Sequence, residues 1–101
     1  MRIIVFFDLP TQTKEHRQGY QKFHKFLVDS GYIMMQESVY CKLSLNGTSV
    51  KIEKERIIRN KPKEGIIQIL VITEKQFSNM EYIIGEKQSK ILDTDKRIVY
   101  L

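Results

Sequence analysis

One acid closes the most apolar stretch of the chain: Asp8 follows Ile3-Ile4-Val5-Phe6-Phe7 and precedes Leu9-Pro10. Such a run reads as a buried strand that Pro10 must end, which sets Asp8 at the strand's carboxyl end, where strand-to-helix folds usually place their chemistry. The chemistry this group offers is hard-cation ligation, with magnesium the natural ion. One Asp alone makes a poor site, because Mg²⁺ takes octahedral oxygen ligation and usually one or two carboxylates with waters and phosphate. A two-fold axis close to Asp8 would double the carboxylates, and the metal would then polarise a phosphate and activate water for in-line attack. The competing reading of Asp8 is structural, as a strand cap or an acceptor for the turn amides of the next helix. His16 and His24 are the only histidines and stand eight residues apart on one helical segment, a spacing that suits helix-surface residues better than general bases. Tyr40 and Ser38 read as strand packing rather than as nucleophiles.

Basic residues supply the second kind of chemistry. The net charge of +5 over 101 residues favours a polyanion partner, most often nucleic acid. Lys14, His16 and Arg17 open the first helix close in sequence to Asp8. Arg56, Arg59, Lys61 and Lys63 lead into a late strand, and Lys51 to Glu64 holds six basic and three acidic residues. Lys87 and Lys90 form a third group. All of these would read phosphate charge, so binding would be sequence-tolerant and would fall with salt. The competing reading is a solvated helix laced with i,i+3 and i,i+4 ion pairs through Glu53, Glu55 and their neighbours.

These residues need elements to position them. Thr11 to Ser30 reads as a helix, with Thr11 or Thr13 as cap, Gly31 as stop, and Tyr20, Phe23, Phe26, Leu27 and Ser30 on the buried face. Tyr32 to Leu45 reads as two short strands, or one strand bent sharply near Gln36-Glu37. Ile33, Met35, Val39, Cys41, Leu43 and Leu45 share one parity and would face the core. Asn46-Gly47 signals a turn, Thr48 a cap, and a second helix runs to about Asn60 with a thin stripe of Val50, Lys54, Ile57 and Ile58 before Pro62. Gly65 to Thr73 reads as a second buried strand, and Glu74 to Met80 as one helical turn. Tyr82-Ile83-Ile84 and Arg97 to Leu101 are two further expected strands. The order is that of a ferredoxin-like α+β domain, a split βαβ with an extra strand at the end. An exposed apolar strand at Ile98, Val99, Tyr100 and Leu101 invites pairing with another chain.

Bulk numbers bound the rest. The length fits one domain over residues 1–101. A single cysteine, Cys41, excludes an intrachain disulfide and any CxxC motif, which fits a reducing cytoplasm. The apolar run that starts the chain is broken by Asp8 and does not make a signal peptide, and Ile66 to Ile72 is far too short to span a bilayer.

The ordered set Ile3 to Pro10, a basic first helix with Arg17, Lys22-Phe23-His24-Lys25-Phe26-Leu27, Gln36-Glu37-Ser38-Val39-Tyr40, Thr73-Glu74-Lys75-Gln76-Phe77, Gly85-Glu86-Lys87 and the closing Arg97 to Leu101 resembles the CRISPR-associated protein 2 family. The similarity runs from Arg2 to Leu101, and is to the variant of systems with a single large effector nuclease. The resemblance implies a ferredoxin-like homodimer in which the C-terminal strand of one protomer joins the sheet of the other. It further implies a dimer that lies across double-stranded prespacer DNA and bridges two dimers of the CRISPR integrase, CRISPR-associated protein 1. By position, Asp8 matches the strand-end acid assigned as magnesium ligand in members described as nucleases, and Arg17 the basic residues set against the DNA backbone.

Three function classes follow. An adaptation scaffold ranks first, ahead of a Mg²⁺-dependent endonuclease, acting on RNA or DNA through paired Asp8. An RNA-recognition domain shares the element order, but no RNP1-type string occurs and the strand from Gly65 to Thr73 holds no aromatic.

Overall fold

The computed structural model describes residues 1–86. Strand β1 (Arg2–Asp8) is followed by α1 (Lys14–Asp29), β2 (Ile33–Gln36), β3 (Val39–Leu43), α2 (Gly47–Arg59), β4 (Ile66–Ile72) and the short α3 (Glu74–Ser78). The strands lie in the order β2-β3-β1-β4, and each neighbouring pair is antiparallel. This is the ferredoxin-like arrangement.

The sheet is central because β1 is. Paired on both sides, β1 has neither backbone edge in water, and its Ile3, Ile4, Val5 and Phe7 are buried. Ile3, Val5 and Phe7 point to one face, where Phe23 and Leu27 of α1, Val50 and Ile57 of α2, and Tyr32 and Tyr40 complete the main core. Phe7 is its hub, with Tyr20, Phe23 and Tyr40 rings at 5.9, 5.3 and 5.6 Å. Fully burying Phe23 or Leu27 contributes about 1.5–3 kcal/mol each.

The opposite face is thinner. Ile4 and Cys41 are buried there against Phe6, Ile33, Met35, Val39, Ile72 and Phe77. So Ile33, Met35, Val39 and Cys41 of the one-parity set pack beneath the sheet, while Tyr40, of the other parity, enters the main core. Leu45 does not join either cluster: it is 88% exposed, because the strand has ended and the chain has turned toward Asn46. Ile66 and Leu70 of β4 alternate onto this lower face and are 57% and 50% exposed. A buried Arg2 also lies on it. Its guanidinium grips Glu74 in two contacts (2.6 and 3.1 Å) and lies 4.2 Å over the Phe77 ring, pinning α3 under β1. Thr73 and Gln76 close a capping box that starts α3 at that spot.

Of the two expected caps of α1, Thr13 is the one that acts, its hydroxyl accepting from the His16 amide. Two expectations are corrected. Asn46, not Thr48, caps α2. Tyr82-Ile83-Ile84 is not a strand: the residues are exposed and no described strand lies alongside to bond their backbone. The expected terminal strand, Arg97 to Leu101, lies outside the described residues.

Candidate nucleic-acid interface

Asp8 stands at the end of β1 opposite Ile66 of β4, exposed. Its carboxylate makes no hydrogen bond or ion pair among the described residues, so the helix-capping role falls to Thr13 and the structural reading of Asp8 loses its basis. The strand end is built from afar. The Phe7 amide donates to the Ser38 carbonyl (3.1 Å), and Ser38 holds a left-handed φ of 63° in the tight β2–β3 connection. Gly65, at φ +114°, crosses directly over Asp8-Leu9; a Cβ there would fall 2.6 Å from a Leu9 methyl and 2.9 Å from the Asp8 carbonyl. Only glycine fits, and sequence reading, which took Gly65 as a strand start, missed this support.

The donor set around Asp8 does not make a magnesium site in one protomer. Among the described residues no three of His, Cys, Asp and Glu converge on a point that could hold an ion. A site of ordinary carboxylate count would need the same acid from a second copy.

The basic residues divide into two groups. Between the first half of α1 and the Arg59–Glu64 connection runs a groove of roughly 470 Å³. His16 and Lys22 line one side, Arg59, Lys61 and Lys63 the other. Glu15 and Glu64 are the only acids on its walls, against four Lys and Arg. Lys22, Arg59, Lys61 and Lys63 make no ion pair with a described residue, so their charges face solvent. The groove is close-walled because Gly19 sits at mid-helix beside Pro62; a Cβ at Gly19 would lie 3.6 Å from the Pro62 ring. His16 Nε2 reaches Glu64 at 3.3 Å across the mouth. Lys22 was not singled out from the sequence, although Glu15, Gln18, Gly19 and Lys22 follow the i, i+3, i+4, i+7 spacing of one helix stripe.

The other cations are placed differently. Arg17 donates from its guanidinium to the Thr11 and Gln12 carbonyls, both at 3.2 Å, and so ties down the turn before α1 while staying exposed. Lys14 is exposed on the first turn of α1 and does not line the groove. Arg56 lies at the far end of α1, 3.5 Å from Glu53, bonded to the Ser30 hydroxyl and stacked near Phe26. Glu53, expected as a surface partner, is instead buried, where it accepts from Lys42 (2.9 Å) and from the Tyr32 hydroxyl (3.2 Å). Burial first, then the Glu53 charge, pushes the Tyr32 phenol far above its ordinary value. Burial likewise raises the Cys41 thiol. Lys87 and the pairing residues Ile98, Val99, Tyr100 and Leu101 lie outside the described residues.

The described residues form an α+β domain of ferredoxin-like fold with an exposed acid at the end of its central strand and a cationic groove beside it. Comparison supplies the family. The profile of the family described as CRISPR associated protein Cas2 matches residues 1–80. The chain is 52% identical over 101 residues to the CRISPR-associated endoribonuclease Cas2 of Treponema denticola, all of both chains being covered. It is 48% identical to the protein of the same name from Streptococcus mutans, over all of this chain and 93% of that one. Its fold is that of the crystal structure of Streptococcus pyogenes Cas2 at pH 6.5, with a TM-score of 0.62 over 82% of this chain and 99% of that one at 22% identity. The chain belongs to the Cas2 family of CRISPR-associated proteins.

Proposed function

We propose that this Cas2-family chain is a CRISPR adaptation factor: a cytoplasmic homodimer, one domain per protomer, that binds double-stranded prespacer DNA and bridges two integrase dimers. The observation that carries the reading is the groove that collects His16, Lys22, Arg59, Lys61 and Lys63, four of them cations with no ion-pair partner among the described residues. Unpaired surface cations read phosphate without reading sequence, as a scaffold for arbitrary duplexes requires. Arg17 and Lys14, exposed on the first turns of α1, extend that surface, and Lys87 is a further contact. The lower sheet face supports dimerisation, since Ile66 and Leu70 are half exposed beside Ile4, Phe6 and Val39 with no described element over them. A second copy covers such a face, with Ile98 to Leu101 as the added strand. No helix among the described residues is long and apolar enough to cross a membrane.

A second reading has its own observation. The exposed, unengaged Asp8 carboxylate, together with relatives called endoribonucleases, supports a metal-dependent endonuclease that acts when two protomers pair their acids. One experiment separates the two. Integration of a short duplex into a leader-repeat target is measured with purified integrase alone, with wild type, and with Asp8→Ala. Equal restoration by both proteins supports the scaffold; restoration by wild type alone gives Asp8 a chemical role. Failure of both sinks the adaptation reading.

A further inference from the structure

The pairs made by Glu53 and Glu74 serve the fold. Glu53 is buried and accepts from Lys42 and Tyr32, and Glu74 takes two contacts from the buried Arg2. Glu64 is placed otherwise. Its side chain is 66% exposed, and its contact, at 3.3 Å, is with His16 Nε2 across the mouth of the cationic groove. An exposed pair of this kind contributes little to stability. It stands instead where it opposes a ligand. Glu64 sets a negative charge beside Lys22, Arg59, Lys61 and Lys63, in a groove whose only other lining acid is Glu15.

The direction of the His16–Glu64 bond follows from its partners. An ionised carboxylate has acceptors and no hydrogen, so the imidazole donates from Nε2. The ring has no second outlet, because Nδ1 is buried and meets no partner among the described residues. His16 is therefore a single donor, carried on a helix, that faces an anionic oxygen across the groove. A phosphate oxygen is an acceptor of the same kind and the same charge. The backbone on both sides of Glu64 is held in place. Pro62 lies against Gly19 of α1, and Gly65 crosses over Asp8 and Leu9 with no room for a methyl. The Glu64 side chain stands mostly in water, so rotation about its own bonds frees His16 while the loop stays where it is.

We propose that Glu64 is an internal stand-in for phosphate: its carboxylate occupies the His16 donor while the groove is empty, and a phosphate of the ligand must displace it to reach His16. The contact is autoinhibitory, and the inference rests on the duplex reading above. Its test is a double-mutant cycle on the full chain, with wild type, His16→Ala, Glu64→Ala and the double variant, read by anisotropy of a blunt duplex at low salt. Glu64→Ala should tighten binding about fivefold, since a negative charge leaves the path of the phosphates. His16→Ala alone should change affinity by about twofold or less, because the lost phosphate contact is offset by the lost contact to Glu64. In the Glu64→Ala background nothing offsets it, and the same substitution should weaken binding about fivefold. A second readout needs no substitution. On adding duplex to wild type, the NMR resonances of the Glu64 carboxyl carbon and of His16 Nε2 should shift together. Additive effects of the two substitutions, or a Glu64 resonance that duplex leaves unmoved, overturn the stand-in and keep the duplex reading. Absence of duplex binding by all four proteins overturns both.

Discussion

The two ends of α1 treat positive charge in opposite ways. Along its first half, Lys22, Arg59, Lys61 and Lys63 line a groove and have no acidic partner among the described residues. At its end, Lys42 and Arg56 converge on the buried Glu53, and each donates a further hydrogen bond to Ser30, Lys42 to the carbonyl at 2.7 Å and Arg56 to the hydroxyl at 3.0 Å. Cations of the second kind are consumed by folding: they tie the C-terminus of α1 to β3 and α2. Cations of the first kind make no ion pair with the described fold, and on the proposed reading they serve a ligand. A basic residue in this chain therefore says little by its type and much by which end of the helix it serves.

Substitutions can break that contrast. The largest effect should come from Glu53→Ala, which leaves Lys42 and Arg56 facing each other and the Tyr32 hydroxyl unbonded; it should cost about 3 kcal/mol in urea unfolding. Duplex affinity per folded molecule should be unchanged, and a loss of affinity without a loss of stability would invert the assignment of the two ends. Replacing Arg59, Lys61 and Lys63 together by alanine should do the reverse. Stability should move by less than about 0.5 kcal/mol, while the slope of log affinity against log salt should fall by about three. An unchanged slope would remove these residues from the phosphate contacts.

Three further tests sharpen the picture. Because the folded Tyr32 phenol titrates above its ordinary value of 10.0, its contribution to stability is complete below that pH and declines as pH rises through and beyond it. Unfolding measured across that alkaline range should show the decline in wild type and lack it in Tyr32→Phe. Gly19→Ala should be the mildest change. The added methyl meets Pro62 at an ordinary 3.6 Å, and the helix gains about 1 kcal/mol, read as a small rise in melting temperature. Gly65→Ala should do the opposite, losing stability and displacing Asp8, since its methyl has no room beside Leu9.

The fold was largely legible along the chain. The apolar run before Asp8-Pro10, the helical spacing of Tyr20, Phe23 and Leu27, and the turn at Asn46-Gly47 each report a local preference, and the elements formed where those preferences put them. The cap of α2 fell two residues before the expected Thr48, and Thr13 rather than Thr11 caps α1, because several hydroxyls and amides compete near each helix start and only one meets the right amide. Tyr82 to Ile84 misled because β-propensity describes a residue's fitness for a sheet, not the presence of a neighbouring strand. The candidate site was legible in part. His16, Arg59, Lys61 and Lys63 do share a groove, whereas Arg56 and Arg17 are engaged with the protein itself.

By itself, then, the sequence determined the elements, the position of Asp8 at a strand end and the excess of positive charge, since periodicity, proline and composition act over a few residues. Tertiary structure decided which charges stay free, because the partners that neutralise them come from distant segments: Glu53 for Lys42 across 11 residues and Glu74 for Arg2 across 72. It likewise decided that Gly65 must be glycine and that the Tyr40 hydroxyl of β3 meets the His24 ring of α1, since both depend on two elements being pressed together at van der Waals or hydrogen-bond distance. Local preference needs only neighbours along the chain, whereas charge pairing and steric exclusion need neighbours in space.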